Sequence, residues 1–175
     1  MYASVILPTG IFLATIRVVV TNNPADRGAY FLLIRLRKGI SIRVGALGVI
    51  RFESGWYVYV GSALNGLSAR VARHLRLHKV RHWHIDYLRP YADGVRAFLF
   101  PSRRDLECIL ARNLLRTSDG QVLRFGSSDC RCPSHLFHFR ANPVFMEEFW
   151  QLLKSRNGNR ALSVKRFKTP KQVST

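Results

Sequence analysis

The chain is 175 residues long, which suits one packed domain with a terminal extension. A hydrophobic fraction of 47% with 11% aromatics excludes a globally disordered polypeptide. Charge is the informative quantity: 28 Lys+Arg stand against 10 Asp+Glu, formally +18, and such a surface attracts a polyanion, nucleic acid before an anionic membrane. Most of the positive residues are arginine, which favours bidentate phosphate contacts and stacking. A basic structural protein, such as a ribosome-associated one, fits the composition equally well. Three cysteines are not a secreted disulfide framework, so a reducing cytoplasm is the expected compartment.

Residues 1–26 carry an apolar run over 11–16, then Arg17 and Val18-Val19-Val20. It is too short and interrupted to span a membrane, and no basic segment precedes it as a secretory signal requires. An extra strand and a start codon set too far upstream explain it equally well. Residues 21–27, with Asn22-Asn23-Pro24, read as a linker. From Gly28 the pattern is that of an antiparallel meander. Residues 29–36 are nearly all apolar, 40–44 and 46–52 are shorter candidates, and 56–60 form the next strand after the turn Glu53-Ser54-Gly55.

Leu67, Val71 and Leu75 fall on one stripe and predict a helix over 67–78. A short helix over 83–88 stops before Pro90, and 95–100 is another strand. Ser102 suits a cap for a helix over 103–116. A loop rich in Gly, Ser and Cys occupies 125–134, and 135–139 is a last strand. A final helix over 143–155 turns Val144, Phe145, Phe149, Leu152 and Leu153 inward. Residues 156–175 show no apolar period and read as a basic flexible tail, with 160–171 available for phosphate contacts. The expected fold is α+β: a small three- to four-stranded antiparallel sheet flanked by helices. The expected boundaries are 1–26 for the extension, 27–141 for the domain and 142–175 for the helix and tail.

On the first helix, Arg70 and His74 lie one turn apart beside the apolar stripe, whereas Arg73 and Arg76 point largely away. An arginine at the edge of a core stripe needs an anion: a salt bridge or a bound phosphate serves. Arg73 and Arg76 are expected in solvent or against a DNA backbone. Tyr57, Tyr59 and Gly61 share one strand face, where tyrosines ordinarily pack. Glu107 falls at the edge of the Leu106/Leu110/Leu114 stripe and calls for an arginine or a metal ion. Cys108, Cys130, Cys132 and His135 could form a zinc set, but the Cys-x-Cys spacing is tight and packed thiols are the expected reading. His78, His82 and His84 more readily meet phosphate or pack than form a second metal cluster.

The sequence resembles the GIY-YIG nuclease superfamily, most closely its small Uri-superfamily endonuclease branch, over about residues 28–139. The matching pieces are Gly28-Ala29-Tyr30, Tyr59-Val60-Gly61, Arg70 with His74, His82-Trp83-His84-Ile85-Asp86-Tyr87-Leu88, Glu107-Cys108 and Phe125-Gly126-Ser127-Ser128-Asp129-Cys130. The resemblance implies a GIY-YIG-like sheet that cuts DNA with one divalent ion, Mg²⁺ or Mn²⁺. It makes Glu107 the metal ligand, Tyr30 and Tyr59 the groups that position or deprotonate the attacking water, and Arg70 the holder of the scissile phosphate. His74 becomes a proton relay or phosphate contact. His84, taken over His82, and Ser128 or Asp129, where the family often has an asparagine, complete the substrate side. The 40–52 hairpin lengthens the spacing between the tyrosine motifs, as in that branch. The implied activity is metal-dependent DNA endonuclease, structure- or damage-directed because no separate recognition domain is visible. The rival is a non-catalytic nucleic-acid-binding protein on the same fold. No membrane partner is expected.

Overall fold

A computed structural model describes residues 26–154 and 163–167. The expectations for 1–25 and for the remainder of the basic tail lie outside the described residues. The organising element is strand β1, Gly28–Leu36, in which every residue but Arg35 is buried. It pairs antiparallel on one side with β4, Gly55–Ala63, and on the other with β5, Gly94–Pro101. A strand alternates its side chains between faces, so a central apolar strand must be covered twice.

One face carries Tyr30, Leu32 and Ile34 of β1 with Tyr57 and Tyr59 of β4. It is covered by α1, Leu67–Leu75, through Leu67, Val71 and Leu75, and by α2, His84–Leu88, through Ile85 and Leu88. The other face carries Ala29, Phe31, Leu33, Val58 and Val60. It is covered by α3, Glu107–Thr117, through Leu110, Ala111 and Leu114, and by α4, Glu147–Lys154, through Phe149 and Leu153. The helices on both faces and the antiparallel sheet make the fold α+β. Phe149 and Leu153 share that core with β1, so α4 packs against the same sheet.

The sheet is wider than the three or four strands expected. Six strands lie in the order β6–β7–β4–β1–β5–β8, adding β6 (Gly120–Gln121), β7 (Leu136–Phe139) and β8 (Ser163–Phe167). Strand β8 pairs with β5 inside the segment expected to be flexible tail. A backbone ladder holds such an edge strand, and ladders require no apolar period in the sequence. The simple meander is also corrected. Strands β2 (Ile40–Arg43) and β3 (Val49–Phe52) pair only with each other, in a separate hairpin.

Two local corrections bear on the site. The helix expected from 103 begins only at Glu107, because Ser102 Oγ accepts from Arg104 N at 3.0 Å and Asp105 Oδ1 accepts from Glu107 N at 3.0 Å. Those turns hold the approach out of helix and leave Glu107 in the first helical turn. Phe145, expected inward, is 86% exposed, since Pro143–Phe145 forms a 3₁₀ turn ahead of α4 rather than its first turn.

Candidate functional site

Tyr30 and Gly61 are partners across the β1–β4 ladder. A Cβ at position 61 would stand 2.3 Å from Tyr30 Oη, so only glycine lets the Tyr30 ring lie across β4. Tyr59 occupies the same face with its ring centroid 6.4 Å from that of Tyr30. It too rests on a glycine: Gly126, at φ 72°, would bring a Cβ to 2.7 Å from the Tyr59 ring. Burial, and then the neighbouring Tyr59, raises the Tyr30 phenol well above its ordinary pKa. Burial and then the Glu107 charge do the same for Tyr59, so both phenols keep their protons at neutral pH. Tyr57 shares that face but does not line the groove; its hydroxyl donates to Glu53 O at 3.0 Å, as in a packing tyrosine.

Tyr30 Oη lies 2.8 Å from His74 Nε2. Burial lowers the His74 pKa and Asp86 only partly offsets it, so the imidazole is neutral at pH 7. His74 Nδ1 stands 3.6 Å from Asp86 Oδ1, within ion-pair range but without a hydrogen bond. The tautomer with Nδ1–H toward the carboxylate is the favourable one, and it leaves Nε2 to accept the Tyr30 O–H. Asp86 is the hub beneath. It accepts from Lys79 Nζ at 2.8 Å, Arg73 Nη1 at 3.1 Å and the backbone N–H groups of His82 and Trp83 at 3.0 and 3.1 Å. Burial alone would raise its pKa; His74, Lys79 and the N–H groups of His82 and Trp83 outweigh burial and hold it far below the carboxylate range.

Arg73 is thus engaged within the protein, in an ion pair with Asp86, rather than simply solvated. Its Nη2 also binds Val80 O at 2.8 Å, and its guanidinium lies 4.3 Å from the centroid of Trp83. The helical projection placed Arg73 away from the apolar stripe, and the chain over 79–86 returns across that outer side. Arg70 differs: its Cζ sits 4.4 Å from the Trp83 centroid, and it forms no hydrogen bond or ion pair among the described residues. Arg76 is exposed at the end of α1 and does not line the groove. His84 Nδ1 accepts from Gly126 N at 2.9 Å, and burial lowers its pKa, so the loop carrying Gly126 is pinned to α2.

Glu107 enters from α3. Its Oε2 accepts from Ser62 Oγ at 2.6 Å, and Oε1 lies 3.2 Å from His135 Nδ1. The helix N-terminus favours a negative charge at this position. No arginine pairs with it among the described residues, so the expected salt bridge is not what places it. Tyr30, Tyr59, Arg70, His84, Glu107 and Ser128 line one open groove of about 320 Å³ at the end of the sheet. His82, Trp83 and Asp129 line it too, so the choice between the histidines is not a choice between in and out. Asp86 and Trp83 were not singled out by sequence as functional. An acid three residues after Trp83, in the first turn of a short helix, was the available signal for Asp86.

Behind Glu107, the donor atoms of Cys108, Cys130, Cys132 and His135 lie within 4.8 Å of one another and could hold a metal ion. Cys108 is the second residue of α3, and the loop after Gly126 folds back onto it. Among the described residues, no helix is long and apolar enough to cross a membrane.

A family model, "Domain of unknown function DUF123", matches residues 29–157, and the chain belongs to that family. Comparison with curated proteins and with solved structures returns no match.

Proposed function

We propose that this DUF123-family chain is a divalent-metal-dependent endonuclease that cleaves phosphodiester bonds in DNA by water attack. The observation that carries the reading is convergence. Two tyrosines, a guanidinium with no hydrogen-bonding partner among the described residues and a carboxylate reach one open groove from β1, β4, α1 and α3. The motif resemblance to GIY-YIG nucleases names those same residues, and a formal charge of +18 suits a polyanionic substrate.

In this reading Arg70, backed by Trp83, receives the scissile phosphate and stabilises charge that develops on it. A water against Tyr30 gives its proton to the Tyr30 oxygen as the Tyr30 proton passes to His74 Nε2. Asp86 then faces the resulting imidazolium. A protonated tyrosine already hydrogen-bonded to a neutral histidine supports this order over a free phenolate. Glu107 with Ser62 and Asp129 nearby in the groove offers hard oxygen donors, which fit Mg²⁺ or Mn²⁺ better than a soft metal. A bound ion there would supply Lewis-acid polarisation of the phosphate. A protein that only binds nucleic acid gains nothing from a carboxylate in a phosphate groove.

The test is nicking of plasmid, flap and branched DNA by the purified chain with Mg²⁺ or Mn²⁺. Glu107→Ala and Tyr30→Phe should abolish it while duplex binding persists. Cleavage that survives Glu107→Ala refutes the assignment. Binding without any cleavage by the parent chain would favour the binding protein.

A further inference from the structure

We propose that Cys108, Cys130, Cys132 and His135 form a tetrahedral zinc site, and that His135 joins this site to Glu107, with Nε2 binding the ion and Nδ1–H facing the carboxylate. The inference does not rest on the nuclease reading, because its geometry and its readouts concern the metal alone.

The sequence spacing disfavours zinc, but the folded geometry reverses that judgement. Three thiols and one imidazole are the donor set of structural zinc, and these atoms already lie within 4.8 Å of one another. Ideal Zn–S and Zn–N lengths give donor–donor edges of about 3.5–3.8 Å, so closure needs at most about 1 Å of side-chain adjustment. The cysteines are free rather than paired in disulfides. The tight Cys-x-Cys turn is held by the Cys132 N–H, which points at Cys130 Sγ at 3.4 Å. Cys108 arrives from the first turn of α3, which fixes its backbone beside the loop that carries the other three donors.

His135 is the fixed member. It is 1% exposed, and its backbone is held on both sides: its N–H donates to Phe125 O at 2.8 Å and its carbonyl accepts from Val60 N at 2.9 Å. Nε2 faces Cys130 Sγ at 3.4 Å, and Nδ1 stands 3.2 Å from Glu107 Oε1 while lacking a well-aligned hydrogen bond. A bare Nδ1 lone pair would repel that carboxylate. The proton therefore belongs on Nδ1, which leaves the Nε2 lone pair for a metal. Zinc ligation would lock this tautomer, and a carboxylate that accepts the far N–H of a metal-bound histidine commonly orients the ring and raises its basicity. Neighbouring residues 107 and 108 then divide the work: Cys108 anchors the ion, and Glu107 faces the groove.

The experiment uses the full chain, reduced and dialysed against a chelator, and has three readouts. Elemental analysis should return about one zinc per chain. Cobalt replacement should give an intense thiolate-to-metal charge-transfer band with tetrahedral d–d absorption, and Cys132→Ser should lose zinc and alter that spectrum. Nitrogen-detected NMR of the zinc form should find His135 protonated on Nδ1, with its resonance shifted by Glu107→Gln. If Cys132→Ser fails to fold, the cobalt spectrum of the parent chain decides. Metal-free chain with three freely titratable thiols, or a disulfide among them, overturns the site. His135 protonated on Nε2 overturns the link to Glu107. Glu107→Ala should lose nicking yet keep zinc, so the two proposals fail separately.

Discussion

Asp86→Asn tests the logic of the site most directly, since one buried carboxylate holds four donors in place. The Asp86 side chain is 0% exposed, Lys79 is 7% exposed and Arg73 27%. Asparagine keeps the shape and one acceptor oxygen but removes the charge. It strands a buried ammonium and weakens the two N–H contacts that start α2. Breaking one side of a buried ion pair costs about 3–5 kcal/mol, and we expect the loss within that range at neutral pH. The pH dependence gives a second handle. The folded pKa of Asp86 lies far below its unfolded value of about 3.9, so its stabilisation is fully present above about pH 4 and declines progressively as pH falls from there toward the folded value. Urea denaturation of both proteins from neutral pH down to about pH 3 should show the gap shrinking in acid. A gap under about 1 kcal/mol at neutral pH, or one independent of pH, would refute the assignment of Asp86 as the anchor.

Gly61→Ala puts a methyl group 2.3 Å from Tyr30 Oη, so we expect about 1–3 kcal/mol of destabilisation by denaturant melts, together with loss of nicking. Arg70→Ala, which removes a guanidinium stacked only on Trp83, should change stability by less than about 1 kcal/mol while nicking falls about 100-fold or more. Nicking by the parent chain should hold through about pH 6.5 and decline only in more acid solution, because His74 must be neutral to take the Tyr30 proton and burial keeps its pKa below the ordinary histidine value; a rate already half lost at about pH 6.5, as for an unburied imidazole, would remove the buried His74 from the relay. Phe149→Ala should cost about 3–5 kcal/mol in a single cooperative transition, and a negligible change would place α4 outside the core.

The central strands were legible because β1 and β4 must be apolar on both faces, and that leaves a signal in any window containing them. Tyr30, Tyr59, Arg70 and Glu107 were legible through short motifs in a fixed order. What escaped were features fixed by distant segments meeting. Arg73 looked solvated because a helical projection knows only its own helix, whereas its partner Asp86 arrives thirteen residues later. The start of α3 moved because Ser102 and Asp105 bind backbone N–H groups just ahead of it, a competition that apolar periodicity does not report. Strand β8 escaped because backbone pairing leaves no mark on side-chain pattern. The four-donor cluster was visible as residue types but discounted on spacing, since linear distance says nothing of a loop folding back onto α3.

Trp83 stands 4.4 and 4.3 Å from the guanidinium carbons of Arg70 and Arg73, and its ring centroid is 5.1 Å from that of His74. The other two tryptophans are elsewhere: Trp56 stacks with Arg35 on β4, and the Trp150 indole donates to Val144 O at 2.6 Å beside α4. Indole emission responds to nearby cations and to their redistribution, so an anion drawing Arg70 toward the groove changes the field on a single ring. The protein thus carries a built-in fluorescent indicator of groove occupancy. With Trp56→Phe and Trp150→Phe as background, binding to the groove can be followed by light alone, without label and without turnover.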